Sequence, residues 1–258
     1  MKKTLWILFI TFFLALGTCS SAEGAEGEGS VNIERCFHLG NDYYEKGEYE
    51  KALSEYNKIF QSGYESKSLY YNTANAYFKS GQLGKALVNY ERAVRLAPRD
   101  SDLISNYKFA RSNVASMLQI KRDIWLLRIV KAYGEKVTLN ELIWFSSFIY
   151  VIIIILLFTA VLRPDAFRRI LPINLALLAA LILNLCVISI KVYNTGKEGV
   201  IITQQVESRY GPFDSATVFF KLHEGMKVKI LDYKEGWVKV KRADGKIGWI
   251  SKSDVEVI

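Results

Sequence analysis

The hydrophobic pattern changes character several times along the 258 residues, and each change predicts a different kind of element. After two lysines, an apolar run over residues 5–16 gives way to small side chains. Between 33 and 119, apolar positions recur at helical spacing among charged ones. Residues 142–162 and 170–190 then form two stretches of twenty-one residues without a single charge. Each is long enough, as a helix, to cross the ~30 Å hydrocarbon core of a bilayer. From 195 onward the runs are short, alternating and valine-rich: "KVKIL", "GWVKVKR" and "GKIGWI". Asp244-Gly245 in "ADGK" is the pair a tight hairpin prefers, and "SKSD" predicts a turn before a last strand, "VEVI". The expected fold class is multi-domain: an all-α region, a two-helix hairpin and a small, partly open all-β barrel over 195–258.

The helical region repeats. "KALSEYNKIF" at 51–60 realigns on "KALVNYERAV" at 85–94, an offset of 34 residues. The same offset carries Gly40 to Ala74, Tyr43 to Tyr77, Gly47 to Gly81, Ala52 to Ala86 and Tyr56 to Tyr90. Small residues let two helices of a unit approach, tyrosines fill the space around them, and the glycines supply a left-handed helix end. A period of 34 with helical spacing inside it is the tetratricopeptide signature, and it predicts units at 33–66 and 67–100. A third unit begins with "SDLISNYKFARSNV", but Lys108 and Arg111 replace its small and aromatic positions. Residues 101–119 therefore read as a solvating cap over the last apolar face.

The flanks set an expected topology. "MKKTLWILFITFFLALGTCSSAEG" has the layout of a secretory signal, 1–22, cleaved after Ala22. "LGTC" alternatively reads as a lipoprotein signal acylated at Cys19, and an uncleaved anchor gives the same topology. "AEGAEGEGS" is too polar to order itself, so 23–32 is read as a flexible linker. Residues 120–141 form an amphipathic connector, either a helix in the headgroup zone or a continuation of the cap. "TLNEL" at 138–142 is a capping box that starts the first span. Between the spans, "RPDAFRR" at 163–169 holds three arginines, and short arginine-rich loops stay in the cytoplasm. With export of the N-terminal part, both folded ends are expected in the periplasm, beyond a bacterial inner membrane. Asn174, Asn184, Ser189, Ala176, Ala179 and Ala180 mark expected helix–helix contact in the second span. Neither span holds an ionisable residue, which argues against a proton or ion relay.

Charge and chemistry narrow the function. The net charge is +8, but residues 33–119 carry twelve basic and ten acidic side chains, and 191–258 carry twelve and nine. Such a thin excess argues against a nucleic-acid partner. Of three cysteines only Cys36 lies in the exported soluble part, so no internal disulfide framework is available. Cys36-x-His38 falls short of a zinc pattern, and both read as packing or surface residues. His223 in "LHEG" has no neighbouring nucleophile motif, and no P-loop, dinucleotide turn or HExxH is present. No catalytic, metal or cofactor site is read, and an enzyme is not expected.

Binding is the better expectation. By the repeat register, Phe37, Asn41 and Tyr44 of the first unit and Tyr71, Asn75 and Phe78 of the second face a concave groove. Aromatic rings give area there, and amides can grip a peptide backbone. On the barrel, Tyr210, Trp237 and Trp249 form a candidate aromatic face.

"VESRYGPFDSATVFFKLHEGMKVKIL…GWVKVKRADGKIGWI" resembles bacterial SH3 domains. The order of signal, two repeats, paired spans and SH3-type barrel is similar to the BatE-like proteins of Bacteroides-aerotolerance operons, and "LAPRDSDLISNYKFAR" and "LHEG" are the local runs that carry that likeness. The resemblance implies work in envelope complexes with other Bat-type membrane proteins, including von Willebrand A-type proteins and a cytoplasmic MoxR-type ATPase. The expected function is a non-enzymatic inner-membrane adaptor linked to aerotolerance or stress response. The alternative is a cell-wall tether or sensor whose barrel binds peptidoglycan.

Overall fold

The computed structural model describes residues 32–114 and 132–258. The expected signal at 1–22, the linker apart from Asn32, the last residues of the cap and the connector up to 131 lie outside the described residues.

Each repeat begins with a helix whose end its glycine dictates. Helices α1 (Ile33–Glu45) and α2 (Tyr49–Gln61) form the first pair, and α3 (Lys67–Lys79) and α4 (Leu83–Leu96) the second. Gly47 and Gly81, at φ of 77° and 80°, turn the chain after α1 and α3, a conformation that costs glycine little. Close approach explains the small residues: a Cβ on Gly40 would lie 2.5 Å from the Tyr56 ring. Ala52, Ala74 and Ala86 are fully buried. Helix α5 (Ser101–Ser112) follows, N-capped by Asp100, whose carboxylate accepts from the Leu103 N–H. That N–H and then the Lys67 ammonium hold the Asp100 carboxyl below its ordinary range. Leu103 and Ala110 of α5 close the second unit's core, while Lys108 and Arg111 face outward.

Two helices long and apolar enough to cross a membrane come next: α6 (Leu139–Leu162) and, after a 3-10 turn at Pro164–Ala166, α7 (Phe167–Asn194). The capping box forms at Thr138 and Glu141. Covered positions include 142, 146, 149, 153, 156 and 160 on α6, and 174, 177, 181, 184, 187, 188 and 191 on α7. That spacing is the seam of a coiled-coil-like antiparallel pair. Asn184 bridges it, donating from Nδ2 to the Leu142 carbonyl at 3.2 Å and to Ser146 Oγ at 3.0 Å. Asn174 is buried on the same seam. Ser189, Ala176, Ala179 and Ala180, expected at this contact, are exposed instead, because they fall off the heptad stripe. Lys191 Nζ donates to the Val137 carbonyl, so the start of α6 and the end of α7 lie side by side.

The C-terminal sheet has seven antiparallel strands in the order β3-β2-β6-β5-β4-β1-β7. They are β1 (Glu198–Ile201), β2 (Gln205–Arg209), β3 (Val218–His223), β4 (Lys227–Lys234), β5 (Trp237–Lys241), β6 (Ile247–Ser251) and β7 (Val255–Val257). Alternate residues, among them Val206, Leu222, Val228, Ile230, Val238, Val240 and Ile250, fill one core. Both glycine–tryptophan steps have backbone reasons. Glu235 and Gly236, at φ of 44° and 83°, make the two-residue turn joining β4 to β5. Gly248 lies where β2 crosses β6, and a Cβ there would sit 2.1 Å from Ser208 Oγ.

Strand β1 breaks the alternation: Gly199, Val200 and Ile201 are all buried. Ile201 points into the barrel, whereas Val200, with the C-terminal Ile258, belongs to the core of the second repeat. The barrel is thus seated on α4. Around that apolar centre, Arg92 pairs with Glu256 at 3.0 Å, Arg95 with Glu198 at 3.6 Å, and Lys227 with Glu198 and Glu91 at 2.9 and 3.3 Å. The Gly84 N–H donates to Glu224 Oε1 at 2.7 Å.

Candidate partner-binding groove and barrel face

The groove is prepared by one hydrogen bond that recurs in each repeat. The Tyr56 hydroxyl of α2 donates to Asn41 Oδ1 on α1 at 2.7 Å, and the Tyr90 hydroxyl of α4 donates to Asn75 Oδ1 on α3. Both pairs are fifteen residues apart, because the second helix of each unit folds back on the first. Asn72 Nδ2 also donates to Asn41 Oδ1, at 2.8 Å. The carbonyl ends of both register asparagines are therefore occupied. Their Nδ2 groups have no partner among the described residues, so each amide is fixed as a donor. Burial pushes the phenols of Tyr56 and Tyr90 well above their ordinary range, which keeps them protonated and donating.

Asn41, Tyr44 and Asn75 line one concavity of about 240 Å³ with Glu45, Tyr56 and Asn72. The other three expected groove residues are half-buried and do not line that concavity. Phe37 packs at a tilt against Tyr56 and Tyr71 against Tyr90, each with centroids 6.2 Å apart, and Phe78 meets Phe109 of α5 edge-on at 5.7 Å. The Tyr71 hydroxyl accepts from Asn106 Nδ2. Asn72, Asn106 and Phe109 were not legible as site residues. Asn72 aligns with His38, and the α5 pair lies where the repeat pattern has lapsed. His38 itself is exposed, and Cys36 packs against the first repeat's core.

On the barrel, Trp249 of β6 is the register partner of Arg209 on β2 and of Lys239 on β5, whose Nζ lies 5.7 Å over its ring. Trp237 faces the same way, opposite Ser251. The ring partner of Tyr210 is Phe219, at 4.4 Å, with Lys246 Nζ over Phe219 at 5.8 Å. Tyr210 begins a loop closed by its own N–H to Thr217 and by Arg209 to the Ala216 carbonyl, and Phe213 is exposed on that loop. Strand alternation puts Phe219 outside beside buried Phe220, a signal sufficient to have named it.

Residues 68–100 match the tetratricopeptide repeat family model, and residues 209–256 match the bacterial SH3 domain model. The helical stack is a tetratricopeptide region and the C-terminal sheet is SH3-like. Among solved structures the chain is similar to NlpC2 from Trichomonas vaginalis, at 26% identity and a TM-score of 0.22, over 25% of this chain and 26% of that one. The chain thus spans about a quarter of that protein. No curated protein matches the sequence. Both matched domains point to protein–protein interaction, and the SH3-like domain also to the cell wall.

Proposed function

We propose that this chain is a non-enzymatic inner-membrane adaptor that assembles an envelope protein complex, its groove holding an extended segment of a partner. The observation that carries this reading is the pair of amides at Asn41 and Asn75, each locked by a repeat tyrosine with its donor end free. Two donors in register, flanked by Tyr44 and Phe78, suit the carbonyl row of an extended backbone. The hairpin supports a single-sided arrangement: its two ends lie together, and Arg99 ties the end of the repeats to Glu141 in the first turn of α6. In this reading the hairpin is embedded in the membrane, the 163–169 loop faces the cytoplasm, repeats and barrel share the periplasm, and the partners are Bat-type membrane proteins acting in aerotolerance. The test is a photo-crosslinking residue at Tyr44 in the full chain, followed by mild-detergent purification and mass spectrometry. A partner captured at Tyr44 and lost in Asn41→Ala/Asn75→Ala supports the adaptor; capture unchanged by that double variant refutes the groove.

A second reading, a cell-wall tether or sensor, is favoured by the exposed Tyr210, Phe213 and Phe219 on the barrel. Sedimentation of the full-length protein with purified sacculi tests it. Retention that falls in Tyr210→Ala favours the tether, and no retention rejects it.

A further inference from the structure

A second concavity, of about 380 Å³, opens on a different face of α3, and neither binding reading above uses it. Its volume falls within the ~300–1,000 Å³ range of ligand pockets. Repeat helices supply most of its wall, through Leu53, Phe60, Tyr70, Thr73, Tyr77 and Arg92, and the last barrel strand completes it with Glu256. The wall is therefore complete only while the barrel is seated on α4.

Its chemistry is unbalanced. Arg92 is already committed, to the Glu256 carboxylate at 3.0 Å, to the Val257 carbonyl at 2.9 Å and to the face of Tyr70 at 5.8 Å. Glu65, at the mouth, lines the cleft beside Tyr70 and has no ion pair among the described residues. Phe60 and Tyr70, tilted against each other with centroids 5.1 Å apart, form an aromatic wall. Thr73, only 4% exposed, carries a hydroxyl oxygen with no hydrogen-bond partner among the described residues. An unmatched buried hydroxyl in a polar cleft calls for an explanation.

We propose that this cleft is a second partner-binding site, built jointly by repeats and barrel, that takes a basic side chain of a partner protein. The aliphatic stem of a lysine or arginine lies along Leu53 and Phe60, its charge meets Glu65 and the ring faces, and the adjoining backbone or an accompanying water satisfies Thr73. An anionic ligand would instead face two carboxylates with one guanidinium already paired.

The test uses the full-length protein in nanodiscs and two probes, acetyl-Ala-Lys-Ala-amide and acetyl-Ala-Gln-Ala-amide, followed by ligand-observed NMR. The lysine peptide is expected to bind in preference to the glutamine peptide. Glu65→Gln, whose carboxylate makes no bond to the barrel, is expected to weaken lysine binding about three-fold. Thr73→Val should weaken it further, while Asn75→Ala in the groove leaves it unchanged. Equal binding of the two probes, binding of neither, or lysine binding undiminished by Glu65→Gln overturns the proposal. A preference lost in Asn75→Ala assigns it to the groove and overturns it as well.

Discussion

Replacing Gly84 with alanine should unseat the barrel from the repeats without harming the helix that carries the change. A Cβ at Gly84 would lie 2.5 Å from the Ile201 carbonyl oxygen and 2.7 Å from the Ile202 Cα, both backbone atoms. To regain the 3.4 Å of ordinary contact, α4 and the strand must part by roughly 0.9 Å. That carries the 2.7 Å bond from the Gly84 N–H to Glu224 out of hydrogen-bonding range, and a lost bond to a charged acceptor costs about 1.5–3 kcal/mol. A gap of this size also forfeits about a quarter to a half of the dispersion between the parted surfaces. Against this, alanine favours a helix over glycine by up to about 1 kcal/mol, but that gain belongs to α4 alone. The net expectation is docking weakened by at least about 1.5–3 kcal/mol, or about 12- to 150-fold. Amide hydrogen exchange on the full chain in detergent reads this directly. Protection should fall in β1 and β7 by that factor and hold or rise in α4. Unchanged exchange in β1 would refute the seating contact, and protection lost from α4 would mean that the damage lies in the helix.

Other expectations follow from the same packing. Burial raises the phenols of Tyr56, Tyr90 and Tyr107 and takes Tyr70 up to about 12, so the stability they give is complete below about pH 10 and is lost as pH climbs through their folded values; alkaline titration by circular dichroism should show the repeats unfolding in that window. Asn184→Leu removes the bridge to Leu142 and Ser146 and should loosen the α6–α7 seam by about 0.6 kcal/mol, measurable by disulfide trapping of paired cysteines across it. Residues 195–258 produced alone would expose Val200 and Ile258, each contributing about 1.5–3 kcal/mol when buried, and should melt lower or self-associate compared with the same strands in the full chain. Asp244, held down to about 2 by Arg242, should keep the β5–β6 turn intact until acid passes from the ordinary carboxylate value toward that figure, and Asp244→Asn should abolish this acid sensitivity in exchange measurements of that turn.

What was readable in the chain was whatever repeats or alternates locally. The 34-residue register carried Gly40, Tyr56 and their counterparts because each serves a contact inside its own unit. The heptad seam was only half readable: Asn184 falls on it, but the three alanines do not, since composition reports smallness and not azimuth. The positions of Asn41 and Asn75 follow from the register, yet their fixed donor polarity depends on Tyr56 and Tyr90, partners that a register cannot assign. The seating of the barrel was hidden because it joins Gly84 to Glu224 and Arg92 to Glu256 across more than a hundred residues. One signal was there. "GVII" at 199–202 is continuously apolar among alternating strands, the mark of a strand buried on both faces.

The contact between β1 and α4 closes a circuit. The chain leaves α4, descends through the hairpin, returns through α7 and comes to rest against α4 again. Helix α7 is accordingly tied at its end to the barrel seat, and pulling it away from the repeats must load the same few ion pairs and Val200. Whatever grips the barrel therefore also pulls on the second repeat.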